Sequence, residues 1–273
     1  MVKLSVSKAW DETSQFLAKE TRLVVPVALA MFLVPTTLLD WAMPGNSATG
    51  GTALLTLMVM LALAFIGQMT IAALATGWRG SVGEAMGKAV GRVPAVFATL
   101  LIVFMPIGLI VGIVLAMALA GAGLTDAAQM TPEAIAKLGS VRVVFLLSFV
   151  AIMVIAARLL PLSALAINER PGPIAMIKRC WALTRGNVGR LTAITLLLLL
   201  GAAVLGGAVQ SVVGTGVELA IGPAHPFSLS ALLIGLAGGL TGAIVSAVSA
   251  VLVGRVYAQL AAESPAAATA PDA

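Results

Sequence analysis

Six apolar runs, at residues 23–41, 52–78, 94–120, 141–167, 191–213 and 229–257, leave this chain few ways to fold. Each approaches or exceeds the roughly 20 helical residues that cross a hydrocarbon core of about 30 Å. The runs show no alternation of apolar and polar side chains, and backbone in lipid must bond within its own segment, so strands are not expected. The expected fold class is all-α: a polytopic membrane protein with six transmembrane helices. Composition agrees, because a chain that is 60% hydrophobic and 10% charged cannot coat a soluble domain. Pro35, Pro106 and Pro161 mark expected kinks, since proline removes an amide hydrogen and crowds the preceding turn.

The basic residues orient the spans. Lys3, Lys8, Lys19 and Arg22 precede the first run. Arg79, Lys88 and Arg92 follow the second, and Arg170, Lys178, Arg179, Arg185 and Arg190 follow the fourth. Arg158 and Arg255 lie near run ends on that same side. The opposite loops at 44–51 and 214–228 hold no Lys or Arg, and 121–142 offers only Lys137 and Arg142. Such asymmetry predicts a bacterial inner membrane with both termini cytoplasmic. It also explains the net charge of +5 without nucleic acid as a partner. Trp10, Trp78 and Trp181 fall at the inner interface and Trp41 at the outer, where an indole buries its ring and keeps its N–H wet.

Three segments on the basic side read as amphipathic interfacial helices. Residues 1–22 carry acids among the lysines and no cleavage pattern, so they are read as a surface helix with Val6, Trp10, Thr13 and Leu17 on one face. In 81–92, Val82, Met86 and Val90 oppose Glu84, Lys88 and Arg92. In 173–185, Ile174, Ile177, Cys180, Trp181 and Leu183 form an apolar arc, with Lys178, Arg179 and Arg185 opposite. Lys178, Arg179, Arg185 and Arg190 are the candidate anchor for anionic lipid. Cys180 has no cysteine to pair with, and on a cytoplasmic surface it is expected to react with an impermeant thiol reagent only once the membrane is opened. The expected organisation is this leading helix, a six-span domain at 23–260 and a disordered Ala/Pro tail at 261–273. The order of span, basic helix and span recurs at 52–120 and 141–213, as a parallel duplication would produce.

The stretch ARLLPLSALAINERPGPIAMIKRCWALTRGNVGRL resembles the membrane domain associated with glycerophosphoryl diester phosphodiesterases, a bacterial family of six-span proteins. Arg158, Pro161, Glu169, Gly172, Pro173, Trp181, Leu183, Thr184, Arg185 and Gly186 fit the family's pattern, and Cys180 stands where serine is usual. Tyr257 resembles the tyrosine closing the last span, but the acidic-Leu-Arg ending is missing. The resemblance implies a six-span membrane domain and does not imply catalysis.

No catalytic pattern emerges from the residues themselves. His225 is the single histidine, a solvated loop residue on this reading, because a zinc site needs three or four clustered donors. GEAMGKA lacks the first glycine and the Ser/Thr of a phosphate loop. No cofactor or metal is expected. Arg158 and Glu169, read as a structural charge cluster, would share one face if the helix continued through Pro161. Gln68 and Gln210 lie nearest mid-span; interhelical hydrogen bonding is their plainer use, and a polar pathway the sharper one. Small residues recur every four positions at Gly238, Gly242, Ser246, Ala250 and Gly254, and at Gly108, Gly112, Ala116 and Ala120. They are expected to let helices pack closely within the chain, with a homo-oligomer as the alternative. TPEAIAKLG, residues 131–139, reads as a short outer helix. The expected function is non-enzymatic, in membrane organisation or lipid-associated work; the alternative is a transporter or channel for a small amphiphile or lipid.

Overall fold

A computed structural model of the chain describes residues 4–46, 50–121 and 139–262. The outer helix anticipated at 131–139 lies outside the described residues apart from Gly139, and so does the tail from 263 onward. Among the described residues the elements are α1 (Val6–Ala28), a π-helical turn (Leu29–Leu33), α2 (Val34–Ala42), α3 (Gly50–Ala75), α4 (Val82–Gly121) and α5 (Gly139–Leu159). These are followed by α6 (Leu162–Asn168), α7 (Pro173–Thr184), α8 (Val188–Val209), a second π-helical turn (Gln210–Gly214), α9 (Thr215–Ile221) and α10 (Leu229–Ala262). Among the described residues six helical stretches are long and apolar enough to cross a bilayer: 6–42, 50–75, 82–121, 141–168, 188–221 and 229–262. The chain is an integral membrane protein of all-α fold.

The leading amphipathic segment is set off from the first span by a kink at Glu20. Ser5 caps α1 by accepting from the Lys8 amide, and the helix then runs into the first span, bending at Glu20, where φ −111° and ψ 23° leave helical values. Its inward stripe is Ala9, Thr13 and Phe16, whereas Val6 and Trp10 are exposed, Trp10 by 48%. The expected face of Val6, Trp10, Thr13 and Leu17 is therefore rotated. In a bilayer the bulkiest apolar side chains can face lipid at no cost, and small side chains let the helix approach its neighbours. The second amphipathic segment, by contrast, is continuous with its span. α4 is a single helix of 40 residues, about 60 Å at 1.5 Å per residue, so part of it must project beyond the hydrocarbon.

The three prolines act differently. Pro161 ends α5: Leu160 and Pro161 form a turn before α6 resumes. Pro35 follows the first π turn, where the Val34 amide reaches back five residues to the Leu29 carbonyl, and the helix continues past the missing N–H. Pro106 stays inside α4 without ending it. The stretches 52–120 and 141–213, expected to be a duplication, both run span, basic segment, span. The second stretch is broken at Leu160–Pro161, where the first has an unbroken α3, and again between Thr184 and Val188, where the first has one continuous α4.

The core gathers at the end of the bundle that carries the basic segments. All six residues from Leu162 to Ile167 of the short α6 are buried, wedged against α3, α4 and α10. Met69, Met176, Leu191 and Val256 are fully enclosed around it. Toward the other end, Met105 of α4, Leu146 of α5 and Val204 of α8 are each more than 60% exposed, as lipid-facing side chains would be. At that far end Phe227, from the turn before α10, donates its amide to the Trp41 carbonyl at 2.8 Å and packs edge-on to its ring.

The glycine faces differ from the expected ones. A Cβ on Gly108, Gly112, Gly238 or Gly242 would meet nothing within 4 Å, and Gly108, Gly112 and Gly242 are exposed. The close approach is made instead by Gly235 and Gly239, whose missing Cβ atoms would lie 2.9 Å from Asp40 Cβ and 2.8 Å from Thr37 Oγ1. Of the stripe read on the last span, Ala250 and Gly254 are buried, Gly254 against Ala72 and Ala75 of α3, and Ser246 is half-buried. Two small-residue registers one position apart run along this helix; Leu33 of the first π-helical turn and Thr37 of α2 pack on the one that holds Gly235 and Gly239.

Candidate functional site

The turn after α6 organises the basic end. Glu169 closes the helix with its amide on the Leu165 carbonyl, and Arg170 takes a left-handed φ of 53°. Pro171 and Gly172 then bring the chain to Pro173, which starts α7 with a ring that needs no amide donor. This reversal lays α7 beside its own loop. Arg179 Nε donates to both Glu169 oxygens, at 3.2 and 3.0 Å, and the Tyr257 hydroxyl of α10 donates to Oε1 at 3.0 Å. Arg92 of α4 completes the turn, donating from Nε to the Ala166 carbonyl at 3.1 Å and from Nη2 to the Pro171 carbonyl. A guanidinium there satisfies carbonyls at the end of α6 and suits its negative dipole end.

The sequence-level anchor therefore divides. Arg179 is held by Glu169, and Arg190 donates to the Leu4 carbonyl at 2.8 Å, tying the start of the chain to the α7–α8 turn. Asn187 Oδ1 accepts the Leu4 amide at 3.0 Å from the same turn. Lys178 and Arg185 remain exposed. The apolar arc read on α7 divides too: Cys180 and Leu183 face the protein, together with Met176 and Thr184, Ile177 is half-buried, and Ile174 and Trp181 face outward at 61% and 37% exposure. Because α5 ends at Leu159, the shared face conceived for Arg158 and Glu169 does not form. Arg158 instead sits 5.5 Å from the centre of the Trp181 ring, a cation–π contact. Arg92 and Asn187 were not singled out as structural residues from the sequence, since a carbonyl-capping role depends on which backbone the fold delivers.

Cys180 is fully enclosed, and its thiol pKa is pushed up to about 12, first by burial and then by the charge of Glu169. Thiolate is the nucleophile, so a thiol with so high a pKa is inert at neutral pH. A maleimide at neutral pH is expected to leave Cys180 unmodified on either side of the membrane, and to alkylate it only after denaturation, as an intact-mass shift would record. The labelling expectation based on membrane sidedness is corrected accordingly. Sidedness is readable instead from Ser7→Cys, at an exposed position of α1, against the silent background of Cys180.

Two cavities lined in part by charged side chains flank this core. At the far end a cavity of about 430 Å³ is lined by Asp40, Gln210, Glu218 and Ala231. Gln210 begins the second π turn there, and Gln68, half-buried on α3, does not line this cavity. At the basic end a cavity of about 540 Å³ opens between α1, the end of α3 and α10. His225 lies in the turn before α10, its amide donating to Ser228 Oγ at 3.1 Å.

No protein-family model, curated protein or solved structure matches the chain.

Proposed function

We propose that the protein is a non-enzymatic component of a bacterial inner membrane, with both termini cytoplasmic, engaged in membrane organisation or lipid-associated work at the inner leaflet. The observation that carries this reading is the outward surface of α7: Lys178 and Arg185 are exposed beside exposed Ile174 and Trp181. Aliphatic and indole groups seat at the acyl boundary while the cations reach phosphate, an arrangement suited to anionic headgroups. The side of the membrane follows from the concentration of Lys and Arg at this end. Membership of the family of membrane domains associated with glycerophosphoryl diester phosphodiesterases is part of the proposal. It is supported by the matching residues between Arg158 and Gly186.

The test uses the full chain in nanodiscs with and without anionic lipid. Retention of anionic lipid should fall as salt rises, and should fall further in Lys178→Gln/Arg185→Gln, each cation contributing about 1 kcal/mol. Retention that is the same in the double variant and indifferent to salt would refute the lipid reading.

Transport of a small amphiphile is a second reading, favoured by the cavity that places Gln210 beside Asp40 and Glu218. Against it stands the closed core around α6 at the opposite end. Solute uptake by reconstituted vesicles, lost in Gln210→Leu, would favour transport.

A further inference from the structure

The cavity at the basic end holds features that neither the core nor the α7 surface accounts for. Its walls come from three elements: Glu12, Phe16, Lys19 and Glu20 of α1, Trp78 beyond α3, and Arg255 of α10. Among the described residues Arg255 Nε is buried without a hydrogen-bond partner; Gln259 Nε2, one turn along but not lining the cavity, is in the same state. Among the described residues no carboxylate pairs with Arg255, whose guanidinium rests 5.0 Å from the centre of the Phe16 ring. Buried donors without acceptors are costly, and an incoming oxyanion would relieve that cost.

A plain anion does not suit the whole cavity. Two acids, Glu12 and Glu20, line it with two bases, Lys19 and Arg255, and Glu12 makes a long 3.9 Å ion pair to exposed Lys8. The carboxyl end of α3 also forms part of the wall through Leu74, Ala75, Thr76 and Gly77, and a helix C-terminus favours positive charge. The Leu74 and Ala73 carbonyls accept from the Gly77 and Trp78 amides, with Gly77 at φ 90°. Glu20, where α1 leaves helical geometry, brings its acid to the same space. Both signs of charge therefore meet across one volume, with aromatic faces from Phe16 and Trp78.

We infer that this cavity binds a phosphate joined through a short linker to a primary ammonium, the chemistry of a phosphoethanolamine group. The phosphate lies on Arg255 and Lys19, and the ammonium lies toward Glu12, Glu20 and the end of α3. The inference deepens the lipid reading above, and rests on it in placing this end of the bundle at headgroup depth. It names a different ligand from the exposed α7 surface, which recognises net negative charge.

The experiment takes the full chain in detergent and offers mixed micelles of phosphatidylethanolamine, phosphatidylcholine or phosphatidylglycerol, and separately free phosphoethanolamine. Bound species are read by native mass spectrometry and by the change in tryptophan fluorescence from Trp78. Phosphatidylethanolamine should be retained at least tenfold over phosphatidylcholine, whose methylated ammonium cannot donate to the glutamates. Arg255→Gln should remove that retention. Glu20→Gln should lower the preference of phosphatidylethanolamine over phosphatidylcholine toward unity while phosphate binding persists, a change that a merely unstable variant would not produce. Saturable binding of free phosphoethanolamine at equal affinity supports the site with a soluble ligand, and retention of the lipid alone supports a bilayer source. Equal retention of all three lipids by the unaltered chain, or a preference that survives both substitutions, overturns the inference. Lys178→Gln/Arg185→Gln should leave the ethanolamine preference intact, so failure of the α7 surface and failure of the cavity are separable results.

Discussion

Gly239→Leu should leave little or no folded, monodisperse protein, while Gly242→Leu, three positions further along the same helix, should purify and melt like the unaltered chain. The missing Cβ of Gly239 would lie 2.8 Å from Thr37 Oγ1, 3.0 Å from the Leu33 carbonyl and 3.1 Å from Leu33 Cδ1. Backbone oxygen cannot swing away as a side-chain end can, so a leucine there forces α2 and α10 apart along their contact. The expected loss exceeds about 3 kcal/mol, the upper part of the usual overpacking range. Gly242 faces open space, and its leucine would meet acyl chains. Size-exclusion profiles after stepwise heating in detergent provide the measurement. Equal tolerance of both substitutions would mean that α2 does not pack on the Gly235–Gly239 face. Gly239→Ala, which adds the Cβ alone, should fall between the two.

The second large effect is expected from Glu169→Ala. That carboxylate receives Arg179 of α7 and the Tyr257 hydroxyl of α10, so its removal loosens the turn, the surface helix and the last span together. Hydrogen bonds to charged groups contribute about 1.5–3 kcal/mol each. The pair here keeps 28% and 30% of its side-chain surface in contact with solvent, which screens it, so the summed loss should be about 2 kcal/mol. Lys178→Ala, on the exposed side of the same helix, should cost less than about 0.5 kcal/mol. Thermal unfolding of both variants tests the contrast. A double-mutant cycle of Glu169→Gln with Tyr257→Phe should show coupling of at least about 0.5 kcal/mol, because the two share one hydrogen bond. Strict additivity would place Tyr257 outside the network.

Much of the architecture was legible without coordinates. Lipid gives no partner to an unbonded amide, so an apolar run of sufficient length has to be helical, and residues 52–78 or 229–257 reveal their state with no knowledge of their neighbours. Lys and Arg are costly to bury in hydrocarbon and are drawn to one side of the membrane, so their clustering around 170–190 marked the ends of spans. Proline at 161 marked a break for an equally local reason. Each inference needs only a segment and its solvent.

Faces and partners were a different matter. Small residues line α10 in two registers a single position apart, and hydropathy cannot separate them, because lipid accepts an exposed glycine as readily as an exposed leucine. Thr37 of α2 and Leu33 of the first π-helical turn select Gly235 and Gly239, a choice made by shape across nearly 200 residues of sequence separation. The cations of 178–190 look alike in sequence, yet Arg179 found Glu169 and Arg190 found the Leu4 carbonyl, while Lys178 and Arg185 stayed outside. Sequence by itself determined a six-span helical membrane protein with one basic end, because hydration and backbone bonding are properties of each segment alone. Only the tertiary structure decided which glycines touch and which charges are held. Both depend on the relative rotation of helices that the bilayer leaves free to turn.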